Sequence, residues 1–435
     1  MRNIILLGVT AVLLAVLPPA PGRTAMLGHG GDVKGIALSP DGTLALSASF
    51  DYSLILWDVA GQAMIRQFFD HNGAVNGAVF LPDGSQALSV SDDGTMRLWD
   101  TRTAAQIHVF EGHQGRVAAV AVSPDGRTAA SAGWDQTVRL WDVAERRQLA
   151  TLRGHTGNVN TLAFAPDGET LATAGYDGDI RLWRAADGEP VKILKGNGFA
   201  INSLVFAPDG AHIIYGGIDE TLRIRSVHTD RPVLTMEGHE GSIFCVTVSP
   251  DGRYVASGGT DKLIRLWDFE SGALVRYMRG HDRPIWSMTF SSDGKTLLSA
   301  GSDEVVRVWE IANGGEIGEP FRLADDDDAG QWNGDPGARL YRTCSACHSL
   351  TADGGRRAGP TLYGLFGRPI GSLPGYRYSD ALKNSDIVWN EDTIDQLFDQ
   401  GPDLYVPGTK MPLQRMPKAD DRADLIAFLK RATAK

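Results

Sequence analysis

The chain has 435 residues, too many for one ordinary domain, so two or three are expected. Hydrophobic residues make up 43% and charged residues 22%, the balance of a soluble globular protein. The net charge of −11 is unevenly placed: residues from 331 onward carry 14 basic and 12 acidic side chains, those before carry 28 and 41, and no basic stripe suggests nucleic-acid binding.

Met1-Arg2-Asn3 precedes an apolar run from Ile4 to Leu17, which Pro18, Pro19 and Ala20 break. A short positive start, a run of 14 and a small residue read as a secretory signal over residues 1–20. The run is shorter than the ~20 residues of a membrane span. Export to the periplasm is therefore expected, with membrane attachment only if the signal stays uncleaved. There is no twin arginine, so the chain is expected to cross the membrane unfolded.

From residue 28 a repeat begins, with a period of 42. Trp57, Trp99, Trp141, Trp183, Trp267 and Trp309 fall on one lattice, with Arg225 at the missing node. His29, His71, His113, His155, His239 and His281 fall on a second, with Asn197 at its gap. Asp51, Asp93, Asp135, Asp177, Asp219, Asp261 and Asp303 form an unbroken third. Each repeat reads as four short strands. In the third these are Val117–Ser123, Thr128–Ala132, Val138–Trp141 and Gln148–Leu152, separated by Pro124-Asp125-Gly126 and a tight turn at Asp135. One four-stranded sheet cannot bury both its faces, so the sheets are expected to pack side by side around an axis. The Gly-His start and Trp-Asp end at this spacing resemble the WD-repeat family over residues 28–310. The resemblance implies a seven-bladed propeller, expected over residues 21–323. Residues 22–27 and 316–322 share the outer-strand phase, and either can close the ring.

These histidines, aspartates and tryptophans invite a catalytic reading, but the resemblance implies a structural one. With Ser47, Ser89, Ser131, Thr173, Ser257 and Ser299 they would form a hydrogen-bonded chain in each blade. Buried polar groups are tolerable when each has a partner. The fifth repeat departs at three nodes together, Asn197, Tyr215 and Arg225, as expected where a half-kept buried network costs more than none. It is a degenerate blade or one released for a partner. Cys245, in Ile243-Phe244-Cys245-Val246, reads as a small core residue.

Residues 324–332 read as an acidic linker around Asp325-Asp326-Asp327-Asp328, a solvated tether; a calcium site there lacks known loop spacing. About 13 stretched residues reach ~45 Å, so the C-terminal segment must stay near the ring.

Cys344-Ser345-Ala346-Cys347-His348 is the C-x-x-C-H attachment pattern of c-type haem. On one helical turn the two thiols point the same way and can each join one haem vinyl group. His348 can then supply an axial nitrogen. The alternatives are a thioredoxin-like pair or half a zinc site. With three cysteines in the chain, no second pair completes a four-sulfur site.

Residues 333–435 resemble the class I cytochromes c of mitochondrial type. The matching residues include Gly359-Pro360, Gly364-Leu365-Phe366-Gly367-Arg368, Pro374-Gly375-Tyr376-Arg377-Tyr378, Trp389 and Val406-Pro407-Gly408-Thr409-Lys410-Met411. The resemblance implies a small all-α domain with Met411 as sixth iron ligand. It also implies that the Pro360 carbonyl accepts the other ring N–H of His348, that Tyr378 and Trp389 bond a haem propionate, and that Arg368 compensates its charge. Met416 is the competing sulfur. Gly401 looks like an extra residue, and Leu397 stands where relatives often carry a tyrosine.

The fold class expected is thus multidomain, an all-β seven-bladed propeller followed by a small all-α cytochrome. The function expected is single-electron transfer through one covalent haem, with the propeller docking a redox partner. The alternatives are a propeller-based oxidoreductase passing electrons to its own haem, and a haem-sensing scaffold; the chain reads more as a carrier than a catalyst. Two phases of the repeat open onto one face in the WD-repeat family. Aromatics at these phases, Phe50, Trp134, Tyr176, Phe244 and Trp286, are the expected docking residues. The competing expectation is that they pack against one another around the channel.

Overall fold

A computed structural model describes residues 26–317, save 197, 230 and 231, and residues 335–434, save 346, 347, 353–359, 375, 377, 379 and 407–415. The signal segment and the acidic linker lie outside the described residues, as do Asn197, Cys347 and Met411.

Residues 26–317 form seven four-stranded antiparallel sheets. In the third blade the strands are Val117–Val122, Thr128–Gly133, Val138–Asp142 and Arg147–Leu152, within a residue or two of the expected bounds. Tight turns at glycine with positive φ join the first two strands of each blade, as at Gly126 (φ 75°), where a side chain would be strained. Apolar residues from each blade and the next close into shared clusters. Leu46, Leu54 and Phe68 of blade 1 pack with Val75, Phe80 and Trp99 of blade 2. The ring is thus held by sheet-to-sheet burial rather than by one central core.

Both ends of the repeat region close the ring, and they divide one strand edge between them. Val305–Glu310 is the third strand of blade 7. Met26–Leu27 pairs with its first residues, Met26 opposite Val306 and Leu27 opposite Val305. Glu316 bridges to Trp309 further along, and the Ile317 N–H donates to Val308 O at 2.7 Å. Met26, Trp57 and Val306 then share one cluster across blades 7 and 1.

The second unit is helical: α1 Pro336–Ser345, α2 Asp380–Lys383, α3 Glu391–Gln400, α4 Pro402–Tyr405 and α5 Ala419–Ala432. Helices α1 and α5 cross closely at Gly337, where a Cβ would stand 2.1 Å from Asp424 O, so no other residue fits. Tyr341 and Phe428 meet beside that crossing, their ring centroids 5.4 Å apart. Asn390 caps α3 by accepting from Thr393 N, and Thr393 returns a bond from its side chain. Gly401, the extra residue of the sequence, ends α3 at φ 99° and leads into α4. Leu397 is buried in this unit's core with Ile394, Phe398 and Leu425.

Candidate haem site and propeller face

In the helical unit α1 carries Cys344 to its C-terminal end, where the thiol is buried. Burial, reinforced by the charge of Glu304, pushes that thiol up to about 12. The chain turns back immediately, with His348 N–H donating to Cys344 O at 2.9 Å. The His348 ring donates from Nδ1 to Pro360 O at 2.8 Å, as the resemblance implied. That bond fixes the tautomer and ring orientation and leaves Nε2 as the nitrogen with a lone pair for a metal. Tyr341 Oη donates to His348 O at 2.6 Å, tying the histidine backbone to the crossing of α1 and α5.

Arg368 and Trp389 are brought together by backbone pairing: Trp389 N–H donates to Arg368 O at 3.0 Å, and Gly367 N–H to Trp389 O at 2.8 Å. The Arg368 guanidinium donates to Thr361 O at 2.7 Å and Tyr363 O at 3.1 Å. Burial lowers its pKa, and Tyr378 stands within its electrostatic reach. Burial likewise raises the Tyr378 hydroxyl, against the Arg368 charge. A half-buried cation held by carbonyl oxygens beside a phenol suits an incoming carboxylate. These residues would fit a haem, with His348 available to its iron and Arg368 to an anionic group. Met416, the competing sulfur, packs against the core cluster that includes Cys344; its N–H donates to Phe398 O at 2.8 Å and its carbonyl accepts from Arg422 at 2.8 Å.

The propeller lattice is structural. In blade 3 Trp141 Nε1 donates to Ser131 Oγ at 2.8 Å, Ser131 stands 2.8 Å from His113 Nε2, and His113 Nδ1 lies 3.0 Å from Asp135. The directions run one way, indole to hydroxyl to imidazole to carboxylate. The same chain stands in blades 1, 2, 4, 6 and 7, for example Trp57–Ser47–His29–Asp51. Burial opposes the charge of Asp93, yet hydrogen bonds from His71, Thr95 and Asn72 outweigh it and hold the carboxyl below the usual range. Cys245 is buried in the ring, and burial raises its thiol well above the ordinary value.

Blade 5 did not simply lose its network. Arg225, buried at the tryptophan node, donates to Lys195 O at 2.5 Å and bonds the Tyr215 hydroxyl that replaces the serine. Asp219 pairs with Arg223 at 2.6 Å. The exchange is one set of partners for another.

One further lattice escaped the sequence reading. Arginines recur two residues before the tryptophan node, at 97, 139, 181, 223, 265 and 307, with Ile55 in blade 1. Arg97 reaches Asp93 at 3.4 Å, Arg307 reaches Asp303 at 3.6 Å, and Arg265 pairs with Asp261. The second docking phase expected from the sequence sits on a bulge. Every blade shifts register in its first strand at the same point, between Val117 and Ala119 in blade 3 and between Ile285 and Ser287 in blade 7. A bulge re-aims the side chain it carries. The residues carried are Lys34, Asn76, Ala118, Asn160, Asn202, Phe244 and Trp286, the second docking phase of the sequence. Three asparagines here bind the neighbouring blade's backbone, Asn76 to Val117 O at 2.9 Å, Asn160 to Ile201 O at 3.3 Å and Asn202 to Ile243 O at 2.9 Å.

The five aromatics divide into two groups. Phe244 and Trp286 stack at 4.0 Å, Lys34 Nζ lies over Trp286 at 2.7 Å and near Phe50 at 4.7 Å, and all are half-buried. Trp286 Nε1 donates to Ser302 Oγ at 2.7 Å, and Ser302 donates to Asp32 at 2.8 Å. Trp134 and Tyr176 make an edge-to-face pair at 6.2 Å and stay open, 38% and 54% exposed, with Ile218 of the next blade 49% exposed. Arg116 lies over Trp134 at 4.2 Å.

A seven-bladed β-propeller followed by a helical domain bearing a C-x-x-C-H turn defines a two-part protein, a repeat ring and a c-type cytochrome. The chain belongs to the WD-repeat family over its ring and to the cytochrome c family over its helical domain. The family "WD domain, G-beta repeat" matches seven times, from residues 22–58 to residues 272–310, and the family "Cytochrome c" matches residues 334–433. Among curated relatives, cytochrome c of Gibberella zeae is 49% identical over 98 residues, 22% of this chain and 92% of that protein. Cytochrome c of Cochliobolus lunatus is 48% identical over 98 residues, 22% of this chain and 90% of that protein. Cytochrome c of Arabidopsis thaliana is 47% identical over 98 residues, 22% and 87%. A cytochrome c domain carries a covalently bound haem c with its iron, and haem-based electron transfer is its chemistry.

Proposed function

We propose that the chain is an exported single-electron carrier whose propeller docks a redox partner beside the haem domain. Cys344 and Cys347 would hold the haem through thioether bonds, and His348 and Met411 would be the ligands to its iron. Pro360 orients His348, while Arg368, Tyr378 and Trp389 neutralise and bond a propionate. The haem, when bound, supplies reversible one-electron exchange. The chain's own residues set its orientation, its charge environment and its exclusion of water. Residues 1–20 direct export, which suits a haem attached outside the cytoplasmic membrane. Residues 21–323, 324–332 and 333–435 are the ring, the tether and the cytochrome.

The observation that carries the iron assignment is the His348 Nδ1 bond to Pro360 O at 2.8 Å, the contact a metal-ligating histidine makes through its other nitrogen. The observation that carries the docking role is the open aromatic pair Trp134 and Tyr176 on a face whose other aromatics are engaged. Exposed aromatics bury much area for little lost rotamer freedom, which makes them contact anchors. The test is the rate at which the native redox partner, fractionated from the source organism, reduces or oxidises the haem. Trp134→Ala and Tyr176→Ala are each expected to weaken apparent binding by more than ~1 kcal/mol while the haem potential stays fixed. Unchanged kinetics in the double variant would refute the docking role.

A further inference from the structure

The outer strands of blades 1 to 6 pair with the strand before them in one register, so a single position can be followed around the ring. It holds Arg66, His108, Ala150, Lys192, Leu234 and Arg276 in turn. A long cation at this position fills the seam with the next blade. Lys192 Nζ crosses from blade 4 to blade 5 and donates to His228 O at 3.3 Å and Val227 O at 3.4 Å. Arg276 lies along the matching turn of blade 7, where a Cβ on Gly314 would stand 2.9 Å from its Cδ. Beside Ala150 the turn of blade 4 closes in instead, and a Cβ on Gly188 would stand 3.2 Å from the Ala150 Cβ.

Leu234 of blade 5 leaves its seam open. One period on from Val227 and His228 stand Phe269 and Glu270, and among the described residues no donor reaches either of their carbonyls. Between blades 5 and 6 lies a cleft of about 640 Å³, within the range of small-molecule sites. Ile224, Leu234 and Phe269 give it an apolar wall. Phe269 is the one aromatic at its position; the other blades place Val59, Thr101, Val143, Ala185, Val227 and Ile311 there. His212 continues the wall edge-to-face with Phe269, ring centroids 5.9 Å apart, and its Nδ1 lies 2.7 Å from Asp209. The rim carries Asp251, Asp268 and Glu270 against one guanidinium, that of Arg253, which lies over the Tyr254 ring at 4.9 Å.

We propose that this cleft binds a small primary amine in its ammonium form, the nitrogen at Phe269 O and Glu270 O and the carbon body along Leu234 and Phe269. Blade 4 shows what the seam accepts: the Lys192 side chain is an ammonium head on an apolar stem, and it takes the two matching carbonyls. An ammonium has three donors. Two carbonyls and one rim carboxylate satisfy them. Three carboxylates around one guanidinium leave the rim net negative, which draws a cation in and turns an anion of the same body away.

The cleft lies away from the aromatic face. In blade 6 the Asp251 turn joins the first two strands and the Asp268 turn the last two, whereas the lattice turn at Asp261 joins the second to the third. In an antiparallel sheet the first and last of these turns share one end, and the middle one stands at the other. Trp134 and Tyr176 precede middle turns in their own blades. Amine and redox partner therefore take opposite ends of the ring, and the amine site stands whether or not the aromatics dock anything.

The test is isothermal titration of the full-length haem protein with n-hexylamine, with n-hexanol as the uncharged probe of the same body. The expected result is one equivalent of hexylamine bound, with hexanol about tenfold weaker or more. Leu234→Lys supplies the side chain that blade 4 carries and is expected to weaken hexylamine binding about tenfold or more. Glu270→Lys, a change on an exposed turn, reverses one rim charge and is expected to weaken it likewise. Thr235→Lys adds the same charge one residue along, on the other side of the strand, and is expected to leave binding unchanged. A thermal melt checks that each variant is folded. Absent binding in wild type, equal binding of amine and alcohol, or undiminished binding in a folded Leu234→Lys or Glu270→Lys protein would overturn the site, as would an equal loss in Thr235→Lys. The haem absorption is followed throughout. A spectral shift that tracks the amine and persists in Leu234→Lys would place the amine on the iron, and also overturns the site.

Discussion

Replacing His113 by alanine removes the middle link of one blade's hydrogen-bonded chain. The ring lies 2.8 Å from Ser131 Oγ and 3.0 Å from Asp135, and its side chain is almost wholly buried. After the substitution Ser131 keeps the Trp141 indole as donor but loses its acceptor. Asp135 keeps the Gln114 N–H at 2.9 Å and the Thr137 hydroxyl at 2.8 Å, so its orphaning is partial. One neutral bond at about 1 kcal/mol and one bond to a carboxylate at the low end of ~1.5–3 kcal/mol give a loss of about 2–3 kcal/mol. For a ring of this size that lowers Tm by roughly 5–10 °C, at ~2–4 °C per kcal/mol. The assay is urea and thermal unfolding followed by tryptophan fluorescence, with an unchanged urea slope. His212→Ala is the control. His212 pairs with Asp209 at 2.7 Å on the surface, and exposed pairs are worth about 0–1 kcal/mol. If His113→Ala were as mild as His212→Ala, the lattice would not be what holds the blade. The haem spectrum is expected to stay unchanged; a change would mean that lattice histidines touch the redox site.

Two further outcomes follow from the same geometry. Asp51, Asp93, Asp135, Asp177, Asp261 and Asp303 are all held below the usual carboxylate range by their histidines, despite burial. Their stabilisation is present above the unfolded value of ~3.9 and is lost as pH falls through the folded values. The ring's unfolding free energy is therefore expected to drop steeply below about pH 4, and a flat profile down to pH 2 would contradict the pairing. Met411→Ala is expected to abolish the weak near-infrared sulfur–iron band of the oxidised protein, while Met416→Ala, whose backbone is tied to Phe398 and Arg422, leaves it; the reverse would reassign the ligand.

Much of this molecule was legible because its physics repeats every 42 residues. The tryptophan, histidine, serine and aspartate nodes could be aligned by eye, and each proved to bond the next as the family resemblance implied. The arginine lattice was equally periodic but unread. An arginine inside a β-rich run such as Val138–Trp141 reads as the solvent side of an alternating strand, yet Arg265 and Arg307 are buried against carboxylates. Blade 5 was legible as a departure but not as a replacement, because nothing in Tyr215 or Arg225 alone says that the two bond each other. Ring closure was undecidable from phase, since residues 22–27 and 316–322 both fit; the structure gives Met26–Leu27 and Glu316 different parts of the Val305–Glu310 edge. The aromatic face divided into engaged and open halves for a reason no single repeat contains. Phe244 meets Trp286, and Trp134 meets Tyr176, across neighbouring blades. In the helical unit the family resemblance implied Pro360 as the partner of His348, and the structure places its carbonyl there.

The central claim is that this chain carries one electron on one haem and leaves chemistry on substrates to others. Anaerobic titration of the full-length protein with a calibrated reductant, followed by absorption, tests it most directly. The account predicts one electron per chain, a single reversible transition, and a haem that stays with the protein after acid–acetone extraction. A second chromophore, or uptake of more than one electron per chain, would contradict it and turn the propeller into the site of an oxidoreductase.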